Sequence, residues 1–127
     1  MRILLAFIFL SYSLFSQQSQ IDSLRKSLSS NLSDTSRGNT LCLLAWELGN
    51  ENAKEGLEMG KKALAFSREK KLKKIEAHAL NTIAYNYNML GQLREAVEVY
   101  LDVYKRQVQE FNIPRHFNTT NHALKKW

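Results

Sequence analysis

The sequence predicts an all-α fold built of antiparallel helix pairs. Three observations predict it. First, Leu80, Ile83, Ala84 and Tyr87 recur at i, i+3, i+4, i+7, one stripe of a 3.6-residue helix, and Leu93, Ala96, Val97 and Tyr100 form a second stripe of the same kind. Second, Gly91 directly follows Leu90, where a left-handed residue commonly ends a helix, so the two stripes belong to helices joined by a tight turn. Third, the block repeats. Leu41, Leu44, Ala45 and Leu48 align with Leu80, Ile83, Ala84 and Tyr87 at a constant offset, and Gly56, Gly60, Ala63 and Leu64 align with Ala96, Tyr100, Val103 and Tyr104 at an offset one residue longer.

At 127 residues the chain fits one domain, and its 44% hydrophobic and 24% charged content is ordinary for a globular protein. A single cysteine excludes an internal disulfide framework and a cysteine-based zinc site. The formal net charge of +6 would suit nucleic acid or an acidic membrane surface. The basic run Lys61, Lys62, Arg68, Lys70, Lys71, Lys73, Lys74 is broken by Glu69 and followed by Glu76, and it lacks interleaved stacking aromatics, so it reads as a solvated, partly paired helix face. No nucleic-acid partner is expected.

Residues 1–16, MRILLAFIFLSYSLFS, place Arg2 before an apolar run from Ile3 to Leu10 and then small residues at Ser11, Ser13 and Ser16. That is the layout of a secretory signal peptide, and the run is short for a membrane span. Cleavage is expected after Ser16, with Ser13 as the alternative. The mature chain is then exported, periplasmic or extracellular. It would meet a membrane only through this segment or through one lying downstream.

Residues 17–34 follow as a capping helix and turn. Ile21, Leu24, Leu28 and Leu32 give an amphipathic helix from about Gln20 to Leu32. Ser33 and Asp34 are N-cap candidates for the next helix, which runs to about Leu48 although Gly38 weakens it. The turn GNEN separates it from a helix carrying Gly56 and Gly60. The linker SREKKLKK, Ser67 to Lys74, leads into the second block. Residues 35–106 therefore form two helix pairs.

This pattern resembles the tetratricopeptide repeat (TPR): a bulky–bulky–small order in the first helix, Tyr87, the glycine turn, then Ala96 and Tyr100. The unit is about forty residues, longer than the ~34 usual for that repeat, and is similar to extended repeats in secreted bacterial proteins. Gly60 stands where the family has a large residue, and the terminal proline is missing. The resemblance implies a right-handed α-α superhelix whose first helices line a peptide-receiving groove. It assigns Asn39, Cys42, Leu43 and Trp46 of one unit and His78, Asn81, Tyr85 and Asn88 of the next to that groove, with Trp46 and Tyr85 at equivalent positions. Aromatic rings there would supply contact area at low entropic cost, or would pack between neighbouring helices. The lysines of the carboxylate-clamping class are absent. Cys42 reads as a small apolar filler or as a reactive thiol.

No convergent acid, base or metal set occurs. His78, His116 and His122 lack ligand spacing, and GLEMGKK, Gly56 to Lys62, lacks the Ser/Thr and the preceding strand of a phosphate loop. Neither an enzyme, a metal nor a cofactor is expected. The sequence thus reads as an exported module that binds a protein or peptide. A second reading makes it the extracytoplasmic sensor part of a TPR-containing histidine kinase or transcriptional regulator. About three repeats are normally needed for stability, so the far face of the second unit is expected to be sticky and the native chain to continue.

Asp102 to Gln107, DVYKRQ, has GAT GTG TAT AAG AGA CAG as one coding, which resembles a transposon end used to fragment DNA for sequencing libraries. The residues behind it fit no stripe, Pro114 breaks a helix, and the sequon Asn118-Thr119-Thr120 is discounted. Residues 102–107 are read as translated adapter and 108–127 as unrelated sequence joined behind it, so that 107–127 is expected to be an irregular tail.

Overall fold

The computed structural model of the protein describes residues 1–110. They form five helices: α1 Arg2–Leu28, α2 Asp34–Glu51, α3 Ala53–Glu69, α4 Lys73–Met89 and α5 Leu93–Glu110. Consecutive helices pack antiparallel. Helix α2 also packs on α4, whereas α3 and α5 do not touch. The first helices of the two pairs therefore lie side by side, whereas the second helices meet only the first helices. This is an all-α, repeat-like arrangement of helix pairs.

Helix α1 is one continuous element, but only its second half belongs to the fold. Residues 1–12 are all exposed, Ile3 at 74% and Phe9 at 76%, while Ile21 is 1% exposed against Leu44 and Leu48 of α2. The helix stops at Leu28, short of the expected Leu32. The hydroxyls of Ser29 and Ser30 bond back to the carbonyls of Lys26 and Ser27, and Arg37 reaches from α2 to cap the Leu28 and Ser30 carbonyls. Such side-chain bonds compete with the next helical turn.

Ser33 is the N-cap of α2, its Oγ accepting from the Ser36 amide at 3.2 Å. Gly38 does not break the helix, because Ile75 and Phe66 pack where its side chain would be. The turn between α2 and α3 is shorter than GNEN. Gly49 and Asn50 remain helical, and Asn52 alone turns the chain, its Oδ1 accepting from the amides of Lys54 and Glu55.

Most of the expected first-helix stripes are core, whereas Leu41 and Tyr87 are only half-buried. Leu44, Ala45, Leu48, Leu80, Ile83 and Ala84 are each no more than 4% exposed. The glycines at 56 and 60 let α3 lie close against α2 and α4: a Cβ at Gly56 would come within 2.5 Å of the Gly49 Cα, and one at Gly60 within 3.0 Å of Ile83. The α5 stripe needs correcting. Of Leu93, Ala96, Val97 and Tyr100 only Ala96 is buried, with Val103; Leu93, Val97 and Tyr100 face outward with Leu101 and Tyr104. Only α4 packs on α5 among the described residues, so one narrow edge of that helix suffices to meet it. Helix α5 runs to Glu110, beyond the boundary expected at 106. Pro114, the remaining histidines and the sequon lie outside the described residues.

Candidate functional site

Helices α2 and α4 run side by side and leave one face open. On α2, Asn39, Leu43, Trp46 and Asn50 are exposed at spacings of four, three and four, which keeps them on one stripe. On α4, His78, Asn81 and Asn88 are exposed and Tyr85 is half-buried. The two stripes meet at their aromatic members. The rings of Trp46 and Tyr85 stack with centroids 4.2 Å apart and planes 25° from parallel. The Tyr85 hydroxyl donates to Asn50 Oδ1 at 2.9 Å. The pair joins the two repeat units while Trp46 keeps 43% of its surface open. Ring stacking and a phenol hydrogen bond fix both side chains in place.

Seven of the eight expected residues are exposed or half-buried along these two stripes. Cys42 is not among them. It is 4% exposed, its Sγ lies 3.9 Å from the Ile75 carbonyl, and burial pushes its thiol up to about 11. It packs with Ala63, Ile75 and Ala79 as a small apolar filler. Asn81, its counterpart in the second unit, is exposed because no helix lies on that flank of α4 among the described residues. Asn50 was missed because it was read as part of a turn. Its position four residues after Trp46 was the available signal.

Elsewhere some of the basic residues pair locally. Lys61 bonds Glu58 at 3.1 Å, which raises the lysine's pKa, and Glu76 accepts from both Arg68 at 2.9 Å and Arg106 at 2.7 Å. A cleft of about 340 Å³ between α4 and α5 is lined by Lys73, Glu76, Ala77, Val103 and Arg106. Among the described residues no group of His, Cys, Asp and Glu is placed to hold a metal ion, and no helix is long and apolar enough to cross a membrane. Comparison of the chain with protein-family models, curated proteins and solved structures finds no match.

Proposed function

We propose that the protein is a TPR-like, right-handed helical-repeat module, exported from the cytoplasm, that binds a protein or peptide on the α2/α4 face and carries out no catalysis. One observation carries the reading. Trp46 and Tyr85, at equivalent places in the two units, form a stacked pair on an accessible face. An exposed aromatic anchor held rigid by its neighbours is the usual centre of a binding surface. The repeat register supports the family resemblance through the first-helix layer and the two small residues Ala84 and Ala96, both buried on helices that pack together. Export is supported by residues 1–12, which make no part of the core although nine of them are large and apolar or aromatic. The reading is tested by pull-down from an extracytoplasmic fraction with the parent chain and with Trp46→Ala/Tyr85→Ala. The double variant should lose the captured partner and keep its helical circular dichroism. Equal capture by both would place the binding surface elsewhere.

A further inference from the structure

We infer that Gln17 is a modification site: in the exported chain it closes on its own amino end to form a five-membered lactam, pyroglutamate. The inference rests on the export reading proposed above. The first support is where α1 joins the fold. Residues 1–12 and Ser16 are exposed and Gln17 is half-buried. Ile21, one turn later, is buried against Leu44 and Leu48. A cut after Ser16 leaves Ile21 in place and makes Gln17 to Gln20 the opening turn of a shortened α1. Three residues of that turn are glutamines. Gln18 Nε2 donates to Asp22 Oδ1 at 3.4 Å, and Gln20 Nε2 to Glu47 Oε1 at 3.3 Å. Of the three, only Gln17 has a carboxamide with no hydrogen-bond partner among the described residues. It is also the one that gains a free α-amine when the chain is cut.

The step balances without a co-reactant. The neutral α-amine of Gln17 attacks its own Cδ. The N–Cδ bond forms, the Cδ–Nε2 bond breaks, and ammonia leaves with the proton that the amine gives up. Nothing is oxidised or reduced. Amine and carboxamide held on one residue react at high effective molarity, and an α-amine that titrates at about pH 8 is partly neutral near pH 7. The second support is the helix end itself. An α-ammonium stands unfavourably at the positive end of a helix dipole, and the turn QQSQ has no carboxylate to offset it. Closing the ring removes that charge. The lactam ties up the backbone nitrogen as proline's ring does, which a helix tolerates in its first turn, where that nitrogen has no intrahelical acceptor. Gln18, Ser19 and Gln20 are exposed ahead of Ile21. Aminopeptidases need a free terminal amine, so the ring guards this turn against trimming.

Intact mass and amino-end sequencing of the exported protein, expressed from the full chain, test this. The mass should be that of residues 17–127 less one ammonia. Stepwise degradation should find no free end until pyroglutamate aminopeptidase is added, and should then read from Gln18. Gln17→Ala should keep a free end and the full mass of its cut product, whereas Gln18→Ala should lose ammonia as the parent does. A non-specific aminopeptidase should shorten Gln17→Ala and leave the parent intact. A parent with the full mass of residues 17–127 and a free Gln17, unchanged by added glutaminyl cyclase, overturns the lactam and leaves export standing. So does a product that begins at Leu14, which has no carboxamide to close. A full-length chain kept in the cytoplasm overturns both the lactam and the export reading.

Discussion

The carboxamide oxygen of Asn86 lies where a Cβ on Gly49 would stand. Asn86 is fully buried. Its Nδ2 donates to the Thr82 carbonyl at 2.9 Å, while Oδ1 finds no hydrogen-bond partner among the described residues and faces Gly49 and Gly56 instead. Glycine Cα–H groups give a buried oxygen a weak but polar environment. The side chain thus keys α4 into the crossing of α2 and α3, a fit that needs two glycines on two different helices.

Gly49→Ala should destabilise the fold by roughly 1–3 kcal/mol through overpacking, although alanine is worth about 1 kcal/mol more than glycine within a helix. In Gly49→Ala/Asn86→Ala the amide no longer occupies the methyl's place. Denaturant unfolding of the cycle should give a coupling of about 0.5–3 kcal/mol. Simple additivity would mean that the two side chains do not compete for one space.

The two turns entering and leaving α4 close in the same way with different residues. Lys71 adopts φ 57° and Gly91 φ 74°. The amides of Lys71 and Leu72 return to the carbonyls of Arg68 and Ser67 at 3.2 and 2.8 Å, and those of Gly91 and Gln92 to Asn88 and Tyr87 at 3.0 and 2.9 Å. A left-handed backbone costs an L residue about 1–2 kcal/mol. Lys71→Gly should therefore raise stability by roughly 0.5–1 kcal/mol, and Gly91→Ala should lower it by a similar amount with no clash, since nothing lies within 4 Å of the added methyl. Thermal melts of both variants check the pair; a neutral Lys71→Gly would remove the strain assigned to that turn.

Cys42 gives a pH dependence. Its thiol is pushed up from 9.0 to about 11 by burial in the folded protein. Between those values the unfolded chain loses the proton and the folded chain keeps it, so the unfolded state binds fewer protons and stability falls as pH rises. The contribution is present below pH 9 and lost on approaching 11, about 1–3 kcal/mol in total. Cys42→Ala should flatten that part of the profile relative to the parent, whose other alkaline groups are unchanged. Alkylation of the parent at pH 8 should proceed at the rate of unfolding.

Export predicts processing. Expressed in a bacterial host, the protein should appear outside the cytoplasm with a mass lacking residues 1–16, or 1–13 if the alternative bond is cut. A full-length product retained in the cytoplasm would count against the signal peptide.

The junction at Asp102 predicts a DNA sequence. If the stretch is adapter, the codons should read GAT GTG TAT AAG AGA CAG, and independently cloned genomic DNA should diverge after Leu101. The same junction in such a clone would make α5 native throughout. Val103 is buried and Arg106 pairs with Glu76, but neither decides origin, since any apolar and basic residue at those spacings would do the same.

Helical periodicity placed the helices of both pairs and the first-helix core without reference to the fold, because a buried stripe must recur every 3.6 residues whatever it packs against. Gly91 was legible for a similar local reason: its turn needs a positive φ. The face carrying Trp46 and Tyr85 was legible as two stripes, from the register of the repeat alone. What required tertiary structure was every choice between neighbours on a stripe. Cys42 is buried and Leu43 exposed because α4 lies on one flank of α2, and nothing in the local pattern states which flank. Val97 and Tyr100 looked like core, but their side of α5 meets no described helix. Asn86 is buried because Gly49 and Gly56 close around it from two other helices. Periodicity fixes which residues share a face; only the positions of the other helices decide whether that face is covered.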